Sequence, residues 1–321
     1  MKGLLKKRNT KGQSAVSLRE SSRMLGSRMW KSRDYYLMLL PAIIYVIMFS
    51  YAPMYGLQIA FKNYKVSLGV AASPWIGFQN FIDFFQSYYF VTLIKNTLVL
   101  SFYTLLVGFP IPIVIALILN EMKGKFKKFT QTILYAPHFI SVVVLVSILN
   151  AMLSPSQGVV NTIMEMLGME RNYFMANPDY FPHLYVWSGV WQGMGWGAII
   201  YLAALSGVDP TLHEAADMDG ATRLQKIIHI NIPVILPTII IMLILQVGKI
   251  ASVGYEKVYL MQNSMNIETA EIISTYVYKR GILNSNYSFS AAVGLFNNVV
   301  NVILVLCANA FAKKVSKTSL F

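Results

Sequence analysis

The chain has 321 residues, of which 55% are hydrophobic and 13% are charged, and its formal net charge is +13. Soluble domains are roughly 45–50% apolar and about 25% charged, so the composition excludes an ordinary soluble domain. It also excludes an intramolecular disulfide, because Cys307 is the single cysteine. We therefore predict an all-α integral membrane protein.

Six long runs with few or no charged residues lie between Asp34 and Lys313. A helix needs about 20 residues to cross the hydrocarbon layer, and each run is long enough. We predict six transmembrane helices within residues 35–312. Their expected positions are residues 35–57, 97–119, 130–153, 184–205, Pro233 to beyond Lys249, and 290–312.

Basic residues concentrate in segments that alternate along the chain. The first 33 residues carry ten Lys or Arg and one acid, and together with three later segments they hold nineteen of the 27 basic residues. Because cytoplasmic segments of membrane proteins are enriched in Lys and Arg, we predict that both termini are cytoplasmic. The net charge then reflects topology and attraction to anionic lipids, and it does not indicate nucleic-acid binding. The three later segments are residues 121–128, 209–233 and 313–321.

This pattern divides the chain into a basic cytoplasmic segment (residues 1–34), a six-helix domain (35–312) and a short cytoplasmic tail (313–321). Within the first segment, residues 14–31 mix Leu, Met and Trp with Arg and Lys. This mixture is typical of an amphipathic helix on a membrane surface. A disordered basic tail remains the alternative.

Three glycines recur every four residues in the fourth predicted span: Gly189, Gly193 and Gly197. Small residues at this spacing let two helix backbones approach closely in a membrane. We predict that they pack against a partner helix, and a hinge is the alternative.

The loop of residues 209–233 is a polar segment between two apolar spans. Asp209 followed by Pro210 is typical of an N-cap with proline at the first helical position. Gly220 is expected to end this helix. A second short helix is expected to begin near Ala221 and to end at Pro233.

Polar side chains in the last two predicted spans are candidates for a translocation path: Gln246, Lys249, Asn297 and Asn298. Polar groups inside a membrane are costly and commonly face a water-filled route or a partner. Two alternatives stay open: Lys249 could instead snorkel to the interface, and the asparagines could hydrogen-bond between helices. Lys249 could favour an acidic substrate, or it could pair with Glu256.

The loop carries a recognisable motif. Glu214-Ala215-Ala216, Gly220 after three intervening residues, and Ile230 with Ile232-Pro233 resemble the EAA loop of ABC importer permeases. That family prefers Leu where this chain has Ile232. We call residues 209–233 the coupling loop, because the resemblance implies that they dock on a separate ATPase. The residues to which it assigns ATPase coupling are Glu214, Ala215, Ala216, Asp217, Asp219, Gly220, Ala221, Ile230 and Pro233.

Four other stretches resemble the carbohydrate-uptake branch of these type I importers, and in particular its polysaccharide and alginate-type permeases: residues 136–141, 253–261, 268–278 and 289–296. The resemblance implies a permease of the bacterial plasma membrane that imports oligo- or polysaccharides by alternating access. It implies four kinds of partner besides membrane lipids: a second, similar permease in a heterodimer, an ATPase dimer, an extracytoplasmic solute-binding protein and the saccharide. ATP and Mg²⁺ would be held by the ATPase, and no cofactor by this chain.

Catalytic motifs are absent from the sequence. His213-Glu214 resembles the start of a zinc-protease motif, but Asp217 stands where the second histidine is required. There is no phosphate-binding P-loop and no clustered histidine. We therefore predict a transport subunit with no catalytic residue and no metal site. The alternatives are an ABC permease for a non-sugar solute and a self-sufficient secondary transporter.

Overall fold

The computed structural model describes residues 32–316, with side chains to residue 314. The possible surface helix at residues 14–31 and the end of the predicted tail, residues 317–321, lie outside this range. Across residues 32–316 the chain is helical and forms no named strand, and its β pairing is an isolated bridge between Lys62 and Trp75. The predicted all-α class is confirmed.

The described residues divide into two compact units, with the boundary between Gln58 and Ile59. In the first unit, helix α1 (Arg33–Val46) continues through a π-helical turn (Ile47–Tyr51) into a 3₁₀ segment that begins at Ala52. Together they form an apolar helical stretch, Arg33–Phe61, at the place of the first predicted span.

The second unit contains fifteen described α-helices. In chain order they are α2 (Gly69–Ala72), α3 (Gln79–Phe85), α4 (Phe90–Gly108), α5 (Pro110–Glu121), α6 (Gly124–Tyr135), α7 (Val142–Met152), α8 (Val159–Met166), α9 (Tyr180–Leu205), α10 (Pro210–Met218), α11 (Arg223–Lys226), α12 (Ile232–Val247), α13 (Tyr255–Met261), α14 (Ile267–Ala270), α15 (Ile273–Tyr278) and α16 (Tyr287–Ser316).

Four helical stretches in the described residues are long and apolar enough to cross a membrane: Arg33–Phe61, Phe90–Glu121, Arg223–Val247 and Tyr287–Lys314. The third predicted span, residues 130–153, is not one helix. A 3₁₀ turn follows α6, the next helix begins only at α7, and the two parts meet at 97°. Pro137 lies in the 3₁₀ turn, and the hydroxyl of Ser141 caps α7 by accepting from the Val144 amide at 3.3 Å. A proline and a new N-cap together explain the bend.

Helix α9 corresponds to the fourth predicted span and has 26 residues, enough to cross a bilayer. It is less apolar than the four stretches above because it contains four glycines, three tyrosines, three tryptophans and one glutamine. It packs against α4, α5, α6, α12 and α13, so it is the central helix of the second unit. Its approach to α6 is closest at Gly195, where an added Cβ would overlap the carbonyl of Leu134.

The helix observed at the fifth predicted span begins earlier and ends earlier than predicted. Helix α11, a π-helical turn (Ile227–Asn231) and α12 form one continuous helix, so Pro233 does not end a separate loop helix. Pro233 is the second residue of α12, and the π-helical turn before it changes the hydrogen-bond register, which makes its missing N–H tolerable. The helix ends at Val247, before Lys249. Gly248 follows it and packs so closely that an added Cβ would collide with the Val305 side chain.

Two buried clusters hold the helices around α9. One joins α5, α9 and α12 through Ala116, Ala198, Tyr201 and Ile235. The other joins α4, α7, α9 and α13 near the start of α9, and it includes Phe181. The segment of α9 between these clusters lines a cavity. The last described helix, α16, extends past the predicted boundary at residue 312 and ends at Ser316.

Candidate functional site

The first half of the coupling loop is set by local hydrogen bonds. Asp209 Oδ1 accepts from the Thr211 amide at 2.9 Å, and Pro210 occupies the first turn of α10. The Thr211 amide is the main reason that the pKa of Asp209 is lowered. Gly220 has φ +72°, in the left-handed region that glycine adopts without strain, so the chain reverses after α10.

The second half begins with a capping box that the sequence analysis missed. Thr222 Oγ1 accepts from the Gln225 amide at 3.4 Å, and Gln225 Oε1 accepts from the Thr222 amide at 2.7 Å. A threonine followed three residues later by glutamine is the local signal for such a box. Helix α11 therefore begins at Arg223, two residues after the expected start.

One ion pair links the two halves. Lys226 Nζ lies 2.6 Å from Asp217 Oδ1. The hydrogen bond from Lys226 is the first cause of the lowered pKa of Asp217. Both groups are accessible to water, so the pair orients α10 against α11 and adds little stability.

The coupling loop exposes apolar side chains from both of its helices. Met218 is 89% exposed, and Leu212, Leu224 and Ile228 are also exposed. The predicted coupling residues lie on the same loop: Glu214, Ala215, Asp217, Asp219, Gly220 and Pro233 are exposed, and Ala216, Ala221 and Ile230 are half-buried. Exposed apolar groups rimmed by polar ones are typical of a surface that binds another protein.

Asn231 lies beneath the loop, at the end of the π-helical turn. Its side chain is fully buried, and neither its amide nitrogen nor its oxygen has a hydrogen-bond partner among the described residues. A buried polar group without a partner is costly, so this position is a point of low stability in an otherwise apolar helix.

A cavity of about 330 Å³ runs along α9. Gly189, Gly193 and Gly197 all line it. Gly197 packs against α5, where the Pro112 side chain lies 3.2 Å from the position of an added Cβ. Gly193 has open space there, and the corresponding neighbour of Gly189 is the Nζ of Lys257, also at 3.2 Å. These glycines therefore also keep the cavity wall free of side chains.

A second cavity of about 190 Å³ has three lining residues in common with the first: Thr104, Tyr185 and Gln246. It is also lined by Lys249, which lies two residues beyond the end of α12. Lys249 forms no ion pair with Glu256. The structure thus brings two of the four predicted path residues, Gln246 and Lys249, to adjoining cavities.

The other two predicted path residues lie elsewhere. Asn297 and Asn298 line neither cavity. Asn298 is exposed, and the side-chain oxygen of Asn297 is buried without a hydrogen-bond partner in the described part of the chain. Asn301 has a structural role: it accepts from the Ala251 amide at 3.0 Å and donates to Ser252 Oγ at 2.7 Å.

Lys257 is a cavity residue that the sequence analysis missed. It lies in α13, within the stretch 253–261 that carries part of the family resemblance, but nothing in that stretch indicates that this lysine is buried. In the structure it is 9% exposed and lines the larger cavity. Residues 32–316 contain no group of three or more His, Cys, Asp or Glu that could hold a metal ion.

The fold and the loop are those of a membrane permease. The chain belongs to the family of binding-protein-dependent transport system inner membrane components, whose sequence profile matches residues 108–317. It is therefore a multi-pass protein of the inner membrane.

Curated relatives extend this similarity to almost the whole chain. The polygalacturonan/rhamnogalacturonan transport system permease protein YteP of Bacillus subtilis is 43% identical over 304 residues, which cover 94% of this chain and 95% of YteP. Protein LplB of the same organism is 45% identical over 287 residues, covering 89% and 90% of the two chains. The arabinooligosaccharides transport system permease protein AraP of B. subtilis is 28% identical over 228 residues, covering 71% and 72%.

Solved structures show the same architecture. A chain of a bacterial alginate ABC transporter, in complex with a periplasmic protein that carries an alginate pentasaccharide, superposes with a TM-score of 0.84 at 42% identity. The match covers 92% of this chain and 99% of that chain. A second structure, of a bacterial ABC transporter involved in the import of the acidic polysaccharide alginate, matches with the same TM-score and identity.

Proposed function

We propose that this chain is a permease subunit of an ATP-driven importer of oligo- or polysaccharides. One observation carries the proposal: YteP and a chain of a solved alginate transporter, at 43% and 42% identity and each matched over more than nine tenths of its length, are both named for saccharide transport. The saccharide names favour a sugar substrate over a peptide or an inorganic ion. In this reading the cavities along α9 are part of the route.

The coupling loop is the proposed docking site for a separate ATPase dimer, which would hold ATP and Mg²⁺. Three features support this role: two short helices locked by caps and an ion pair, exposed apolar side chains, and direct continuity with α12. Closure of the ATPases would move the loop, and the continuous helix would carry that movement into the membrane. Rigid-body motion of packed helices is a well-attested way to switch between two states.

We also propose that a second, similar permease completes the transmembrane route as a heterodimer, and that an extracytoplasmic solute-binding protein delivers the saccharide. Exposed apolar side chains on α4, α9 and α16 provide surfaces for lipid and for the partner permease. The chain itself carries no P-loop, so we assign it no nucleotide site.

The proposal is tested by reconstituting the complete transporter in proteoliposomes. Glu214→Lys places a positive charge on the exposed face of α10, and Gly220→Pro is incompatible with φ +72°. We expect both variants to insert and purify normally but to lose binding-protein-stimulated ATP hydrolysis and saccharide uptake by at least tenfold.

The matched control is Glu170→Lys, the same charge reversal at an exposed acid between α8 and α9, outside the coupling loop. We expect it to leave stimulated hydrolysis unchanged. Normal uptake by both loop variants would contradict the coupling role. ATP-driven uptake of a peptide panel in place of saccharides would contradict the substrate class.

A further inference from the structure

We propose that Lys257 and Lys249 bind carboxylate groups of an acidic saccharide in the two adjoining cavities along α9. The inference rests on the proposed function, because it identifies the substrate chemistry of the same route. Three observations support it. Lys257 lines the larger cavity, no acidic side chain lines either cavity, and Lys249 lines the second cavity, which shares three lining residues with the first.

Lys257 is held at the surface of the larger cavity by α13 and α9. Its Nζ donates to the carbonyl oxygen of Tyr185 at 2.8 Å and lies 4.8 Å from the centre of the Tyr185 ring. Gly189 provides the room, because a Cβ there would lie 3.2 Å from Nζ. A lysine ammonium has three donors, and the carbonyl accounts for one, so donors remain for a bound group.

No carboxylate of the described residues neutralises this charge. Neither cavity is lined by Asp or Glu, and Lys257 forms no ion pair within residues 32–314. The adjacent acid, Glu256, is exposed. A buried charge without an opposite charge is costly, and an anionic ligand would remove that cost.

A purely structural role explains the position poorly. The Tyr185 carbonyl lies inside helix α9, where each carbonyl accepts from the backbone amide four residues later, so it does not depend on Lys257. The other buried lysine of the described residues, Lys62, also bonds to backbone carbonyls beside an aromatic ring, but two carbonyls accept from it rather than one. Lys62 is 2% exposed, donates to the carbonyls of Val70 and Ala71, and contacts Trp75, and it lines neither cavity.

The remaining cavity surface suits a sugar. Gln246 and Thr104 stand on the wall common to both cavities, and Gln192 adds a further polar group to the larger one. Amide and hydroxyl side chains are donors and acceptors for sugar hydroxyls. Lys249 lies in the second cavity, so successive carboxylates of one oligosaccharide would meet one lysine in each cavity.

The test measures equilibrium binding to the complete permease–ATPase complex in nanodiscs, without the binding protein. The probes are fluorescent trigalacturonate and an alginate trisaccharide, each compared with its carboxyl-reduced form, which has the same rings and linkages but no charge. We expect the wild-type complex to bind at least one acidic probe at least tenfold more tightly than its reduced form. Lys257→Met should remove most of this preference, and Lys257→Arg should retain it.

Two further variants keep the result interpretable. Lys62→Met, the matched loss of a buried lysine outside the cavities, should leave the preference unchanged. Lys249→Met removes no side-chain hydrogen bond or ion pair among the described residues, and it should weaken binding of the acidic probes only. If Lys257→Met does not assemble, as judged by size-exclusion chromatography, Lys249→Met decides the outcome.

Equal binding of the acidic and reduced probes by the wild type would overturn the inference. An undiminished preference for the acidic probe in Lys257→Met would also overturn it. If Lys257→Met does not assemble, an undiminished preference in Lys249→Met has the same meaning. A different result would contradict the proposed function: no ATP-driven uptake of any saccharide when the binding protein is added. A transporter that imports saccharide without preferring carboxylates would overturn the lysine assignment alone.

Discussion

The coupling loop and the cavity along α9 differ in the sequence separation of the residues whose hydrogen bonds hold them. In the loop, the capping bonds and the Asp217–Lys226 pair join residues two to nine positions apart, and most side chains are exposed. In the cavity wall, Lys257 bonds to a residue 72 positions away, and Ser101 of α4 bonds to the carbonyl of Ile250, 149 positions away. A change in the loop is therefore expected to act locally, whereas a change in the wall affects the packing of several helices.

The largest effect is expected where α9 contacts α6. Gly195→Val would drive a side chain into the backbone carbonyl of Leu134. Overpacking a well-packed site typically costs about 1–3 kcal/mol and more where backbone must move, so we expect little folded protein. The measurement is the yield of monodisperse complex after detergent extraction. The control is Gly193→Ala, which meets open space and should extract like the wild type; a normal yield of Gly195→Val would show that the close approach does not matter.

A smaller but clear effect is expected at the exposed face of the loop. Met218→Asp adds a charge to a side chain that contacts almost nothing within this chain, so folding should be unaffected. Central apolar residues of an interface typically contribute about 2 kcal/mol or more, and we expect at least tenfold less ATPase subunit to copurify. Met166→Asp, at an 80% exposed methionine at the end of α8, is the control and should copurify normally. Normal copurification of Met218→Asp would place the docking surface elsewhere.

A moderate, local effect is expected from the capping box. Thr222→Ala should cost about 1 kcal/mol of helix stability, which corresponds to roughly fivefold faster amide hydrogen exchange at Gln225. Exchange in α9 should not change. Because Thr222 and Gln225 act as one unit, the double alanine variant should exchange no faster than the stronger of the two single variants. Additive effects would mean that the two hydrogen bonds are independent.

The smallest effect is expected at the ion pair. The pKa of Asp217 is lowered in the folded state, so the pair stabilises the loop at neutral pH, and that contribution is lost as the pH falls through the lowered pKa. Asp217→Asn reproduces the protonated state at neutral pH. We expect no measurable change in the thermal midpoint of the complex, and a modest loss of stimulated hydrolysis that disappears at high salt. A large loss that salt does not reduce would indicate that Asp217 contacts the ATPase directly.

The same contrast explains what the sequence could predict. The Asp209–Pro210 start and the turn at Gly220 depend on neighbouring residues, and both are confirmed. The all-α class and the positions of most spans follow from composition and run length. The bend at Ser141 was missed because an uncharged run shows where an apolar segment lies but does not show that it breaks.

The cavity was accessible to sequence reasoning only in part. Gln246 and Lys249 attract attention because they are polar groups at the end of an apolar run. Lys257 lies in a stretch that the sequence marks only by its family resemblance, and its burial depends on Tyr185 and Gly189 of a helix far away in the sequence. Pairs of this kind are set by tertiary packing, so no local pattern could identify them.

The helical stretch from Arg223 to Val247 continues through one π-helical turn, so it connects the coupling loop directly to the cavity wall. With 25 residues at 1.5 Å each, it is about 37 Å long, so a tilt of about 5° about its Arg223 end would move Gln246 sideways by about 3 Å. This sideways displacement of Gln246 is comparable to the radius of a sugar ring with its hydroxyl groups. A rotation of this one helix about its end could thus widen or narrow the cavities along α9 without any change in the fold of their walls.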